Sequence, residues 1–360
     1  MSALGDRIRA LIGREGPLTV ERYMGLCLQH YYASRDPLGL RGDFTTSPEI
    51  SQMFGELLGL WAASVWQGMG APGHFRLAEL GPGRGTLMVD ALRALRRVPG
   101  LLEGASVHLV ETSPALRERQ RAALAPSGAQ VSWHEHVEAV PPGPMVALAN
   151  EFFDALPIRQ FAARAGTWHE RVVESADGSF RFGLSPAPEP SVAVPAREGA
   201  TVEVPEAGAA LMRILADRLV RDGGAALVID YGYWGPAFGD TLQALKAHAF
   251  ADPLAEPGEA DLTAHVDFHH LARAAAAAGA VVHGPLAQGD FLRGLGIEVR
   301  AQALKARATP EQAQAVEAGL RRLTDPEGMG ELFKVLAISH PGLPPLPGLR
   351  PNPMTDQEDI

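Results

Sequence analysis

The chain has 360 residues, of which 46% are hydrophobic and 21% charged, and its formal net charge is −10. An acidic surface is a poor partner for a phosphate backbone, so nucleic-acid binding is excluded. The single cysteine, Cys27, rules out an internal disulfide, and no apolar run approaches the roughly 18 residues of a membrane span. A soluble globular protein follows, with the cytoplasm as its default location.

In chain order, the pattern predicts helices over 4–14 and 18–30, then a loop over 31–48 rich in Gly, Pro, Asp and Ser, then an amphipathic helix over 49–67. From 75 to 150, apolar strands and helices alternate: Phe75–Leu80, Thr86–Arg97, Ser106–Glu111, Pro114–Leu124, Gln130–Trp133 and Met145–Ala149. That alternation means a parallel, doubly wound, Rossmann-like α/β sheet. Residues 158–204 switch to short alternating runs, with a hairpin signal at Asp177-Gly178, and read as a small antiparallel insertion. A helix over 207–221 and the strand Ala225–Ile229 return to the parallel sheet. Residues 231–266 read as a second long loop, followed by a helix over 267–278, a strand Val281–His283, helices near 297–307 and 310–323, and a last strand Leu332–Ile338. The expected domains are an N-terminal helical and lid region over 1–70, the main domain over 71–157 and 207–340, the insertion over 158–206, and a proline-rich tail over 341–360.

The most informative stretch is Phe75–Leu87. Glycines at Gly81, Gly83 and Gly85 follow a buried strand and precede a helix, with Glu79 just before them. Such a turn brings backbone against a ligand and aims the helix-start amides at it. A dinucleotide fingerprint wants a third glycine at position 86, where this chain has Thr86. An acid before the first glycine suits a zwitterion with an ammonium group, which points to S-adenosyl-L-methionine. A plain tight βα turn would use the same glycines. Glu111, at the end of the next strand, is placed to accept hydrogen bonds from ribose hydroxyls, or else caps the following helix. His134, ending the strand after that, is placed near the base.

Asn150, Glu151 and Asp154 follow the fourth strand, packed among Phe152, Phe153 and Leu156. They read as the catalytic, acceptor-holding groups, with a helix cap as the alternative. In the 31–48 loop, Asp43, Thr45, Thr46 and Ser47 read as a cofactor lid; Ser47 with Pro48 also reads as a helix cap. Both long loops are expected to close over the cofactor. His265, His269 and His270 lie near Asp261 and Asp267, but no H-E-x-x-H or C-x-x-C motif occurs, so no metal site is expected. No Gly-x-Ser-x-Gly elbow is present, which sets aside a serine hydrolase.

Six blocks in order, Tyr31–Pro37, Gly42–Glu56, Glu79–Leu87, Asn150–Pro157, Pro257–Phe268 and Met329–Lys334, resemble the MidA-like family of class I S-adenosyl-L-methionine-dependent methyltransferases, in its bacterial form. Mitochondrial members of that family are arginine methyltransferases that assist assembly of respiratory complex I. The resemblance implies a seven-stranded sheet whose last strand is antiparallel, and methyl transfer to a protein arginine. It gives Gly81, Gly83, Gly85 and Glu111 the cofactor roles and makes Glu151 and Asp154 candidates at the acceptor. Partner expectations are a protein acceptor, no nucleic acid and no membrane span, with a homodimer left open. A small-molecule methyltransferase and a non-catalytic assembly chaperone of the same fold are the alternatives.

Overall fold

The computed structural model describes residues 3–34, 46–246 and 248–352. Its centre is a twisted sheet of strands β1 (Phe75–Leu80), β2 (Ala105–Val110), β3 (Val131–His134), β4 (Met145–Asn150), β5 (Gly224–Tyr233), β6 (Val281–Ala287) and β7 (Phe333–Ser339). The spatial order is β6-β7-β5-β4-β1-β2-β3, with the short Val266–Asp267 added beside the end of β5. β1 to β5 pair in parallel, and β7 runs antiparallel to both of its neighbours. This is the seven-stranded, doubly wound sheet that the resemblance implied.

The strands read as continuous apolar runs because both faces are covered. Side chains alternate between faces. Leu77, Val107, Val146, Leu148, Leu227 and Ile229 pack under the helices Gln52–Gly68 and Thr86–Leu95. Ala78, Leu80, Ala147, Ala149, Ala226 and Val228 pack under the helices Glu206–Asp222 and Phe268–Ala277. Residues 159–204 form an antiparallel sheet whose strands are Arg159–Arg164, Thr167–Ala176, Ser179–Pro188 and Thr201–Val204. Asp177 and Gly178 both have positive φ, 51° and 79°, as a two-residue hairpin turn of the primed type requires.

The structure corrects several sequence expectations. Leu18–Thr19 is not the start of a helix; it pairs with Val172 and Val173 of the inserted sheet, and the helix begins at Val20. The helix expected over 49–67 is two pieces, Ser47–Ile50 and Gln52–Gly68, because Ser51 is extended and its hydroxyl accepts from the Met53 amide. The supposed loop 231–266 contains Gln243–Lys246, Ala249–Ala251 and Asp261–Thr263, which pair as a small antiparallel sheet. The described part of the tail is irregular but packed: Leu346 and Leu349 are buried, and the Asn352 amide donates to the Val282 carbonyl at 2.8 Å.

The helices Gln52–Gly68 and Thr86–Leu95 approach through glycine. A Cβ at Gly59 would lie 2.8 Å from both Cα and O of Ala91. An alanine gains up to about 1 kcal/mol of helix propensity, but overpacking against backbone costs about 1–3 kcal/mol, so the clash wins. Gly59→Ala should lower the midpoint of chemical denaturation. An unchanged or raised midpoint would mean that the helices are not in this register.

Candidate active site

The parallel strands end in one cleft of about 1040 Å³, at the carboxyl edge of the sheet where α/β folds place ligands. Gly81, Gly83 and Gly85 have φ of 63°, 53° and 84°, conformations that disfavour any side chain. A Cβ at Gly81 would also lie 2.6 Å from Phe152 Cδ2. Gly85 caps the helix Thr86–Leu95, whose first amides face the cleft end.

Glu79 lies beneath this turn, 3% exposed, with Oε2 lacking any hydrogen-bond partner. Burial, and secondarily the nearby Glu111 carboxyl, push its pKa up to about 8. Glu111 accepts the Ser113 amide at 2.8 Å through Oε1 and the Gln120 side-chain amide at 3.2 Å through Oε2. Burial raises its pKa, while those donors act against the rise. Gln120 also donates to the Gly83 carbonyl at 2.7 Å and accepts from Trp133 Nε1 at 2.8 Å. It therefore ties the glycine turn to Glu111. Sequence reading passed over Gln120 because a glutamine inside a helix carries no distinguishing pattern.

The two acids and the turn fit a ligand with an ammonium group and a diol. The orphaned Glu79 oxygen would meet the cation, Glu111 the hydroxyls, and the glycine backbone would lie against the ligand's body.

At the end of β4, Asn150 is 9% exposed; its Nδ2 donates to Glu151 Oε1 at 3.0 Å, and its Oδ1 has no partner. Glu151 Oε1 also accepts the Ser47 amide at 2.9 Å. Burial foremost, with Asp154 adding repulsion, raises the Glu151 pKa to about 7 against these hydrogen bonds. Both residues line the cleft.

Asp154 does not share that wall. It is 8% exposed and lies behind the turn, where its carboxyl hydrogen-bonds to the Tyr231 side chain and one oxygen lacks a partner. Burial raises its pKa to about 6.

The remaining expectations divide. Thr46 lines the cleft together with Glu49, which accepts a short hydrogen bond from Thr86 and faces Arg84 at 3.9 Å. Ser47 is fully buried and its hydroxyl donates to Met329 Sδ at 3.7 Å, and Thr46 rather than Ser47 holds the cap position, without a side-chain cap bond. Asp43 and Thr45 lie outside the described residues. His134 is not part of the cleft wall: its Nε2 pairs with His108 Nδ1 at 2.9 Å, and Glu135, His136, Val137 and Glu138 line the cleft there. The histidines near Asp261 and Asp267 do not converge, and among the described residues no group of three potential ligands could hold a metal.

The sequence profile of S-adenosyl-L-methionine-dependent methyltransferases matches residues 57–286. The chain is 41% identical over 372 residues to a Drosophila melanogaster protein named protein arginine methyltransferase NDUFAF7 homolog, mitochondrial, covering 93% of this chain and 84% of that one. It is 40% identical over 356 residues to the Homo sapiens protein arginine methyltransferase NDUFAF7, mitochondrial, covering 90% and 80%. A crystal structure from Burkholderia thailandensis, bound to S-adenosyl-homocysteine, superposes with a TM-score of 0.84 at 30% identity over 96% of this chain and 94% of that one.

Glu79→Gln keeps the shape of the site and removes its charge. S-adenosyl-homocysteine affinity measured by calorimetry at pH 8 should fall by roughly tenfold to a hundredfold, the scale of a hydrogen bond to a charged group. In the ligand-free protein the native pKa of Glu79 lies above its unfolded value, so stability declines as pH rises from about 4.3 toward 8. Glu79→Gln should flatten that decline. Undiminished affinity in the variant would remove Glu79 from the cofactor site.

Proposed function

The chain belongs to the family of S-adenosyl-L-methionine-dependent methyltransferases, and from that premise we propose that it methylates an arginine of a partner protein. The observation that carries this reading is the pairing of the Asn150 Oδ1, without a partner, with the Glu151 carboxyl, both on the cleft wall beside the glycine turn. A guanidinium offers five N–H donors and no acceptor. A wall that presents two adjacent acceptors matches it. The relatives named as protein arginine methyltransferases support the same acceptor.

The cofactor, bound at Gly81–Gly85, Glu79 and Glu111, supplies an electrophilic methyl group. Everything else falls to the chain's own side chains. Asn150 and Glu151 hold the guanidinium and offset its charge next to the cofactor's own cation. Phe152 and Leu156, on the same wall, restrict water. The attacking nitrogen must shed a proton as it gains the methyl, and Glu151, with its pKa raised to about 7, can take that proton near neutral pH. Asp154 acts from behind the turn. Thr46 and Glu49 close the cofactor side, and Asp43 and Thr45 are proposed to extend that closure as a lid. A cytoplasmic location belongs to the same reading: Cys27 is a free, buried thiol, and no described helix is long and apolar enough to cross a membrane.

Glu151 must be ionised to work, so the rate should rise with pH through about 7 and then level off. Glu151→Gln should lower transfer by more than about tenfold, or roughly 1.4 kcal/mol of transition-state stabilisation, and abolish that rise. The measurement is incorporation of labelled methyl from the cofactor into lysate protein, with methylarginine identified after acid hydrolysis. Label confined to small molecules would reassign the enzyme to small-molecule methylation.

A further inference from the structure

The turn that carries Asn150 and Glu151 is held from a different strand. Asp230 is 0% exposed and follows the apolar run of β5. The parallel register pairs Ile229 with Asn150, which sets Asp230 beside the turn. Its Oδ2 accepts the backbone amides of Phe152, Phe153 and Asp154 at 3.1, 3.0 and 3.1 Å, and its Oδ1 accepts the Tyr231 amide at 2.9 Å. Three successive N–H groups aimed at one oxygen form an anion-binding nest. The residue that opens this nest is Glu151, at φ +48°. A glutamate does not choose the left-handed region unaided; the surroundings must hold it there.

Burial, with the neighbouring Asp154 and Glu151 carboxyls, pushes the Asp230 pKa upward. The four N–H donors act in the opposite direction.

We propose that Asp230 is a positioning residue whose carboxylate holds Glu151 in its left-handed conformation and so aims the Asn150–Glu151 pair into the cleft. Its kinetic consequence rests on the acceptor reading of Glu151 given above; its structural consequence does not. The groups facing Glu151 are the Asn150 amide, the Ser47 N–H, Asp154 on the same turn, Asp230 on β5, and Arg322 on the helix Pro310–Thr324.

Asp230→Asn tests both consequences. By hydrogen exchange, the amides of Phe152, Phe153 and Asp154 should be protected in the wild type and exchange at least tenfold faster in the variant, with β4 and β1 amides unchanged. S-adenosyl-homocysteine affinity should stay within about threefold. Methyl transfer to lysate protein should fall more than tenfold. Unprotected Phe152–Asp154 amides in the wild type would overturn the proposal, and that result does not depend on the variant folding. A loss of cofactor affinity that matches the loss of rate would also overturn it, leaving Asp230 a structural residue only. If the wild type itself labels no protein arginine, the acceptor reading fails, and the exchange data alone decide the role of Asp230.

Discussion

The site depends on keeping acids out of water without giving them cationic partners. Glu79, Glu111, Asp154 and Asp230 are buried and Glu151 half-buried, and among the described residues none of the five forms an ion pair with a Lys, Arg or His side chain. Burying a carboxylate in this way is expensive. An arginine salt bridge would offset the cost, but it would also satisfy the charge that a cationic ligand needs. The chain uses backbone N–H groups and neutral amides instead: Ser113 and Gln120 on Glu111, Ser47 and Asn150 on Glu151, and the turn amides on Asp230. Glu79 receives neither, and its pKa is pushed to about 8.

That arrangement requires a rigid frame. The amides that receive Asp230 and Glu111 come from turns whose ends are fixed by parallel strands, and those strands are buried on both faces by the two halves of the core. Hydrophobic burial thus holds the donors in place before any ligand arrives, which is the condition for electrostatic preorganisation. Gln120 links the glycine turn to Glu111, and Asp230 links the Asn150–Asp154 turn to β5. Each joins segments that lie far apart in the chain.

The difference between what sequence discloses and what it conceals follows the same line. That the glycine turn, Glu79 and Glu111 meet at one cleft was legible because each feature is local: a strand pattern, a glycine spacing, an acid at a strand end. Asp230 was not, since an aspartate after an apolar run reads as nothing more than the strand's end, and its role exists only through the pairing of Ile229 with Asn150. His134 was misplaced because strand register set its ring against His108, something no spacing reveals. Asp154 was grouped with Glu151 on composition, yet the left-handed backbone at Glu151 sends the two carboxyls to different sides of the turn. The small sheet in 231–266 escaped because strands of three and four residues are too short to show a period.

The central claim is that an uncompensated buried acid waits for the cofactor's cation, and proton release on binding tests it most directly. At pH 7 Glu79 is mostly protonated in the free protein, because its pKa is near 8. An ammonium group set against it must lower that pKa and expel the proton. Calorimetric titration of the wild-type protein with S-adenosyl-homocysteine in buffers of different ionisation enthalpy should show release of close to one proton per bound ligand at pH 7, and little of that release at pH 9. Binding without proton exchange at pH 7 would contradict the account, since the ligand's cation would then lie somewhere other than on Glu79.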